Sequence, residues 1–212
     1  AMLPALLKRG GIENYVFQRP DSFENSKLPG PLFRWFAPDG SGVTAFRIID
    51  GYGSRYGSVQ EDVAAALAEE KRTGFPIMCF YGVGNHGGGP TIQNITSIHE
   101  YQKHGEKGEE VIFSDPDAYF EAVKAQSLKL PEWHTELQHH ASGCYSTHAR
   151  TKRLHRRAEN ALLRIEALGA LAQGLTGHRL KAPFVRQAWE NLLFNEFHDL
   201  MGGCCEEAAL LD

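Results

Sequence analysis

A glycine-rich loop is the first stretch of the sequence that could do chemistry. It reads FYGVGNHGGGPT over residues 80–91, and its first three glycines have the G-x-G-x-x-G spacing of a dinucleotide fingerprint. In that fingerprint the third glycine lies in the first turn of a helix, whereas Pro90 here prevents a helix from beginning earlier. The acidic residue expected about 20 positions further on is missing as well. We therefore favour a wide loop whose glycines let a ligand approach the backbone, over a nucleotide site or a plain connection.

Two pairs of polar residues are further candidates. NEFHDLMGG places His198 and Asp199 at the end of the last predicted helix, where an imidazole beside a carboxylate could serve a metal ion. QRPDS places Arg19 and Asp21 directly after a predicted strand, where an arginine can hold a carboxylate with two hydrogen bonds. The plainer alternatives are a histidine that binds no metal and a surface salt bridge.

Other histidines and arginines have plainer interpretations. Glu136, His139 and His140 lie close together in the sequence, but adjacent histidines in an extended segment point to opposite sides and do not share one metal. The basic run Arg150–Arg157 follows one side of a helix whose other face is apolar, which is typical of a solvated surface.

The elements that must position these residues alternate between strands and helices over the first 130 residues. Apolar runs bounded by Gly, Pro or Asp predict strands at 14–18, 43–49, 76–82 and 110–114. Helical spacing predicts helices at 59–72, 91–103 and 116–126, the last with Asp115 as N-cap and Pro116 at its first position. Such alternation indicates an α/β fold with a parallel sheet or barrel.

The character of the chain changes in a loop-like segment at 128–143. Beyond it only helical patterns appear, at 145–173 and 183–197. We therefore predict two domains, an α/β domain over residues 1–130 and a helical domain over residues 131–212.

Composition excludes several classes of function. The 212 residues carry a formal net charge of −4, which gives no electrostatic reason to expect a nucleic-acid partner. No apolar run approaches the roughly 20 residues that span a bilayer, so no membrane partner is expected. Four cysteines without a C-x-x-C pair indicate neither a disulfide framework nor a zinc knuckle. Together with an opening that lacks a secretory pattern, this favours a cytoplasmic location.

Several segments together resemble the glycoside hydrolase family 38 α-mannosidases, especially their bacterial branch. They follow the family's order and span nearly the whole chain: AMLPALLKRGGIENYVFQRPDS, LPGPLFRWFAPDGSGVTAFRI, FYGVGNHGGGPT, ELQHHASGCYSTHARTKRLHRRAENAL and LLFNEFHDLMGG. The resemblance implies the C-terminal part of an irregular β/α barrel followed by the start of a helical middle domain, a three-helix bundle. It also implies hydrolysis of α-mannosides or mannose-containing oligosaccharides with retention, through a covalent intermediate.

The resemblance assigns roles to residues of this sequence. His198 matches a zinc ligand, and Asp199 matches a residue that contacts substrate hydroxyls. Arg19 falls near the nucleophile and substrate, and Tyr52 falls near a position that lines the sugar pocket. The implied cofactor is one zinc ion, which holds two hydroxyls of the sugar.

The sequence departs from the family pattern in two places. The D-x-F-G-H motif of the nucleophile and an earlier H-x-D motif are missing, so the other zinc ligands are expected upstream of this chain. The glycine loop has Asn85 and His86 where the family places its acid/base carboxylate. His86 could donate the proton at neutral pH, or the acid could come from elsewhere.

The remaining alternatives concern the substrate and the extent of the chain. A mannosylglycerate-type hydrolase has the same motifs, and a non-catalytic carbohydrate-binding or structural remnant is a further interpretation. The chain opens and stops within helical patterns, which fits either a fragment or a chain that starts at Met2 after a cloning remnant, Ala1. Because a partial barrel leaves open sheet edges, we expect it to need its missing N-terminal part or a homo-oligomer.

The isolated chain is predicted neither to hold zinc tightly nor to cleave α-mannosides. It supplies one donor, whereas a zinc site needs three or four. Metal analysis of the purified, dialysed chain tests this prediction, and a firm zinc stoichiometry near one would contradict it.

Overall fold

The chain folds into two compact units. The computed structural model describes residues 1–49, 51–54, 59–84, 88–105, 109–138 and 141–205. One unit comprises Ala1–His140 and the other comprises Ala141–Asp212. The first contains a sheet and helices, and the described part of the second is helical. The α/β architecture predicted from the sequence is therefore confirmed.

A four-stranded sheet forms the centre of the first unit. Its strands are β1 (Asn14–Phe17), β2 (Leu32–Phe36), β3 (Gly42–Arg47) and β4 (Glu132–Trp133). The spatial order is β1-β3-β2-β4. β1 runs parallel to β3, β2 runs antiparallel to β3, and β4 runs parallel to β2. The sheet is therefore mixed rather than wholly parallel.

The β2–β3 hairpin is buried on both faces. On one face Phe33, Trp35, Val43 and Ala45 belong to a single apolar cluster. On the other face Leu32 and Phe46 pack against the last helix of the unit. Because side chains alternate along a strand, a strand that is covered on both sides must be apolar at successive positions, as these two strands are.

Four helices accompany the sheet within the described part of this unit. They are α1 (Leu3–Arg9), α2 (Gln60–Thr73), α3 (Ile92–His104) and α4 (Pro116–Ala125). The predicted start of α4 is confirmed, since the Asp115 side chain accepts a hydrogen bond from the Ala118 amide at 2.9 Å and Pro116 follows it. Thr91 and Asn94 form a reciprocal capping box at the start of α3.

The predictions of strands at 76–82 and 110–114 are wrong. Neither segment is paired in a ladder with another described strand. From residue 78 to residue 81 the side chains nevertheless alternate between two clusters: Met78 and Phe80 pack on the α4 side, whereas Cys79 and Tyr81 pack against α2 and α3. Apolar side chains on both sides anchor the segment, but a strand also needs a hydrogen-bonded neighbour.

The strand β2 was missed by the sequence-based prediction. The turn between β2 and β3 contains Pro38, Asp39 and Gly40, which is a strong turn signal. Gly40 has a φ of +83°, and the Ser41 amide donates to the Asp39 carboxylate at 2.9 Å. This turn closes the hairpin on which the rest of the unit packs.

The second unit begins with a 3₁₀ turn at Ser142–Tyr145. Three α-helices follow as far as residue 205, where the described part of the unit ends: α5 (Ala149–Thr176), α6 (Ala182–Phe194) and α7 (His198–Gly202). None of the helices in the described part of the chain combines the length with the apolar character needed to cross a membrane.

Replacing Tyr119 with Phe is expected to destabilise the first unit by about 1 kcal/mol. Burial raises the pKa of Tyr119, so its hydroxyl stays protonated and donates to the Pro76 carbonyl at 2.7 Å. The matched control is Tyr81→Phe, whose hydroxyl has no hydrogen-bond partner among the described residues. Urea unfolding of the three proteins measures the difference, and equal midpoints for the two variants would contradict the assigned role of the Tyr119 hydroxyl.

Candidate active site

The parallel pairing of β1 with β3 brings two candidate residues to one edge of the sheet. In register, Phe17 lies opposite Arg47, so both strands end at the same edge. Arg19 follows β1 there and Tyr52 follows β3. A Cβ added at Gly51 would lie 3.9 Å from the side-chain nitrogen of Gln18, which shows how closely the two loops approach.

Arg19 is held by two carboxylates. Its Nη1 lies 2.7 Å from Asp21 Oδ2 and 3.1 Å from Glu24 Oε1, and half of its side chain is exposed. The structure thus shows the salt bridge that was the plainer alternative for this residue. A role in substrate binding stays a prediction, and the exposed half of the side chain is compatible with it.

Asp21 builds the turn that presents Arg19. Its Oδ1 accepts hydrogen bonds from the backbone amides of Phe23 at 2.8 Å and Glu24 at 3.0 Å. The Glu24 amide, followed by the Phe23 amide and the Arg19 charge, holds the pKa of Asp21 below its ordinary value. Sequence reasoning named Asp21 but missed Glu24, which had no motif to mark it.

Tyr52 lies against the glycine loop. The residue is 55% exposed, and a Cβ added at Gly84 would lie 3.3 Å from its ring. Gly82, with a φ of +120°, exchanges two hydrogen bonds with Ser54. The candidate proton-donor positions Asn85 and His86 lie outside the described residues.

The floor beneath these loops is well filled. A cavity of about 10 Å³ is lined by Ile48, Gly51, Asp62 and Phe80 among others, which leaves room for one water molecule at most. A sugar does not fit in this cavity.

His198 and Asp199 begin a helix of their own. The prediction that they end the preceding helix is wrong, because α6 stops at Phe194 and α7 starts at His198. The amides of Asn195 and Glu196 donate hydrogen bonds to the carbonyls three residues earlier, at 3.1 and 3.0 Å. The chain then becomes extended at Phe197. Such bonds are typical of a terminating helix.

The His198 side chain is accessible to a ligand. It is 82% exposed, its ring centroid lies 4.5 Å from that of Phe197, and its Nε2 lies 3.4 Å from Asp199 Oδ1. No group of three or more potential metal donors occurs among the described residues. The donor chemistry of this part of the chain therefore fits a single zinc ligand and not a complete site.

Comparisons with known proteins decide the family. Residues 1–136 match the model of the glycosyl hydrolases family 38 N-terminal domain, and residues 138–212 match that of the alpha mannosidase middle domain. The chain belongs to glycoside hydrolase family 38. The resemblance stated from the sequence is thereby confirmed.

Relatives within family 38 are similar along nearly the whole chain. It is 30% identical over 205 residues to Alpha-mannosidase G of Dictyostelium discoideum, covering 96% of this chain and 19% of the relative. It is 31% identical over 210 residues to human Alpha-mannosidase 2C1, covering 97% of this chain and 20% of the relative. The chain thus spans about a fifth of the length of these relatives.

A solved structure supports the fold. The crystal structure of an alpha-mannosidase from Enterococcus faecalis V583 superposes with a TM-score of 0.62 at 21% identity. The match covers 99% of this chain and 26% of that one. The family 38 fold expected for the chain is therefore confirmed.

The Asp21 carboxyl is expected to titrate below an ordinary aspartate even after Arg19→Gln. The backbone amides of Glu24 and Phe23 still donate to it in this variant, and the former is the largest cause of the lowered pKa. Because the folded pKa lies below the unfolded one, the stabilisation is present above the unfolded pKa and is lost as the pH falls through the folded pKa. NMR titration of the Asp21 carboxyl checks this, and a return to the ordinary aspartate pKa in Arg19→Gln would contradict it.

Proposed function

We propose that this chain is the C-terminal part of the catalytic barrel and the start of the middle domain of a retaining, zinc-dependent α-mannosidase. The observation that carries the proposal is the consecutive match of two family models, which together cover residues 1–136 and 138–212 in the family's order. The substrates would be terminal α-mannosides, alone or in mannose-containing oligosaccharides.

Arg19 and Tyr52 would form part of the sugar-binding surface. Arg19 is oriented by Asp21 and Glu24, and its exposed N–H groups can donate to hydroxyl or carboxylate oxygens. Tyr52 offers a half-exposed ring beside the glycine loop. A side chain that is already fixed before binding loses less conformational freedom when the sugar arrives.

His198 would donate one nitrogen to a zinc ion, and Asp199 would contact the substrate hydroxyls. When bound, zinc supplies a Lewis acid that orients and polarises the oxygens of its ligand. The ring of Phe197 lies beside that of His198, and the imidazole is still 82% exposed, so its nitrogens are accessible to a ligand. The nucleophile and the remaining zinc donors would come from motifs that this sequence lacks.

Asn85 and His86 would occupy the acid/base position, beside the glycosidic oxygen of the leaving group. His86 could protonate that oxygen at neutral pH, since an imidazole titrates in this range. The glycines around it would let the sugar approach the backbone closely.

Arg19 also bears on the alternative of a mannosylglycerate-type hydrolase. That substrate carries a carboxylate, which would favour an unpaired cation in the pocket. Arg19 already faces two carboxylates, so its contribution favours a neutral aglycone. A non-catalytic carbohydrate-binding remnant is the third candidate, and it predicts mannose binding without turnover.

His198→Ala is expected to remove most of the bound zinc and to lower α-mannosidase activity by at least roughly 100-fold. Loss of a residue that only supports a metal ligand already lowers metal affinity or activity about 10- to 100-fold. The protein should be produced from the complete reading frame that contains this chain. Metal analysis and hydrolysis of an aryl α-mannoside are the two readouts.

The matched control for this variant is His178→Ala, which replaces an exposed histidine of the same unit. It should keep both zinc and activity. Full zinc content in His198→Ala would overturn the assignment of the ligand. A wild-type protein that binds mannose without cleaving any α-mannoside would favour the non-catalytic candidate.

A further inference from the structure

Ser54 joins the loop after β3 to the glycine loop. Its backbone amide donates to the Gly82 carbonyl at 2.9 Å, and its hydroxyl oxygen accepts from the Gly82 amide at 2.8 Å. The residue is only 8% exposed. One buried serine thus satisfies both backbone groups of a glycine 28 positions further along the chain.

The backbones of the two loops touch beside this contact. A Cβ added at Gly53 would lie 3.1 Å from the Gly84 nitrogen and Cα, which is tighter than ordinary van der Waals contact. A Cβ added at Gly84 would lie 3.3 Å from the Tyr52 ring. The absence of side chains at these two positions is what allows the loops to meet.

The described ends of the glycine loop are also held to each other. The Val83 amide donates to the Gly89 carbonyl at 2.9 Å. A Cβ added at Gly82 would lie 3.0 Å from the Pro90 nitrogen, and Thr91 then caps α3. Gly82 is therefore attached both to the rest of its own loop and, through Ser54, to the loop that carries Tyr52.

We propose that Ser54 is a positioning residue of the mannoside site, which holds Gly82 and Gly84, at the start of the glycine loop, against Tyr52 and Gly53. This inference rests on the proposed function for the identity of the ligand. The contact itself is independent of that function. Ser54 touches neither substrate nor metal in this role and acts through Gly82 and the Tyr52 loop.

The chemistry requires a hydroxyl at this position. Alanine would leave the Gly82 amide without its acceptor in a buried place, which costs more than the net value of an ordinary hydrogen bond. Threonine also carries a hydroxyl on Cβ, so it keeps the acceptor for the Gly82 amide. A displacement of about 1 Å in the residues that position a substrate can lower the rate roughly 100-fold. Loss of the Ser54–Gly82 contact could therefore slow the reaction even though Ser54 does not touch the substrate.

Hydrogen exchange of the Gly82 amide tests the contact directly. In the protein made from the complete reading frame, Ser54→Ala should accelerate exchange of this amide about tenfold, the factor for losing one buried hydrogen bond. Ser54→Thr should exchange at nearly the wild-type rate. The matched control is Ser97→Ala, which replaces an α3 serine that is also 8% exposed and should leave Gly82 unchanged.

Kinetics separate a positioning role from a merely structural one. Ser54→Ala should lower kcat/KM for an aryl α-mannoside about tenfold, with recovery in Ser54→Thr and no change in Ser97→Ala. Faster Gly82 exchange with unchanged kcat/KM would overturn the positioning role. Equal loss in Ser54→Thr, or unchanged exchange in Ser54→Ala, would overturn it as well.

Failure of the proposed function gives a different result. If the wild-type protein cleaves no α-mannoside, the proposed function fails and the site role of Ser54 fails with it. The exchange rate of Gly82 would still report whether Ser54 holds the two loops together.

Discussion

The pairing of β2 with β3 is the interaction on which the first unit depends. Both strands carry apolar side chains on both faces, and Phe33, Trp35 and Phe46 are almost completely buried. A shift of one residue in register would move every one of these side chains to the opposite face. The register is therefore fixed by packing on two sides, and β1 takes its own register from β3.

This constraint explains why Arg19 and Tyr52 lie at the same edge. β1 and β3 are parallel, so the loops that follow them leave the sheet together. The Ile48 amide still donates to the Phe17 carbonyl at 2.8 Å beyond the last register pair. The candidate residues are thus placed by the sheet, and about half of each of the two side chains stays exposed.

Charges beneath that edge support the arrangement of Arg19. Arg47, at the end of β3, is buried, and its Nε has no hydrogen-bond partner among the described residues. Burial lowers the pKa of Arg47, while the charges of Glu69 and Asp21 oppose that shift. Arg47 in turn is one of the charges that favour the ionised form of Asp21. A buried cation thus helps to keep ionised the carboxylate that orients Arg19.

The sequence by itself determined the elements whose signals are local, because caps, proline and helical spacing act within a few residues. The Asp115–Pro116 start of α4 and the helix predicted at 59–72 are of this kind. The motifs also indicated the family, since each of them is a short run of neighbouring residues. Only the tertiary structure decided which apolar runs form strands: 76–82 joins none of the described strands, and β2 pairs with β3. Pairing depends on partners far along the chain, and so does the bond between Ser54 and Gly82, which no local pattern could reveal.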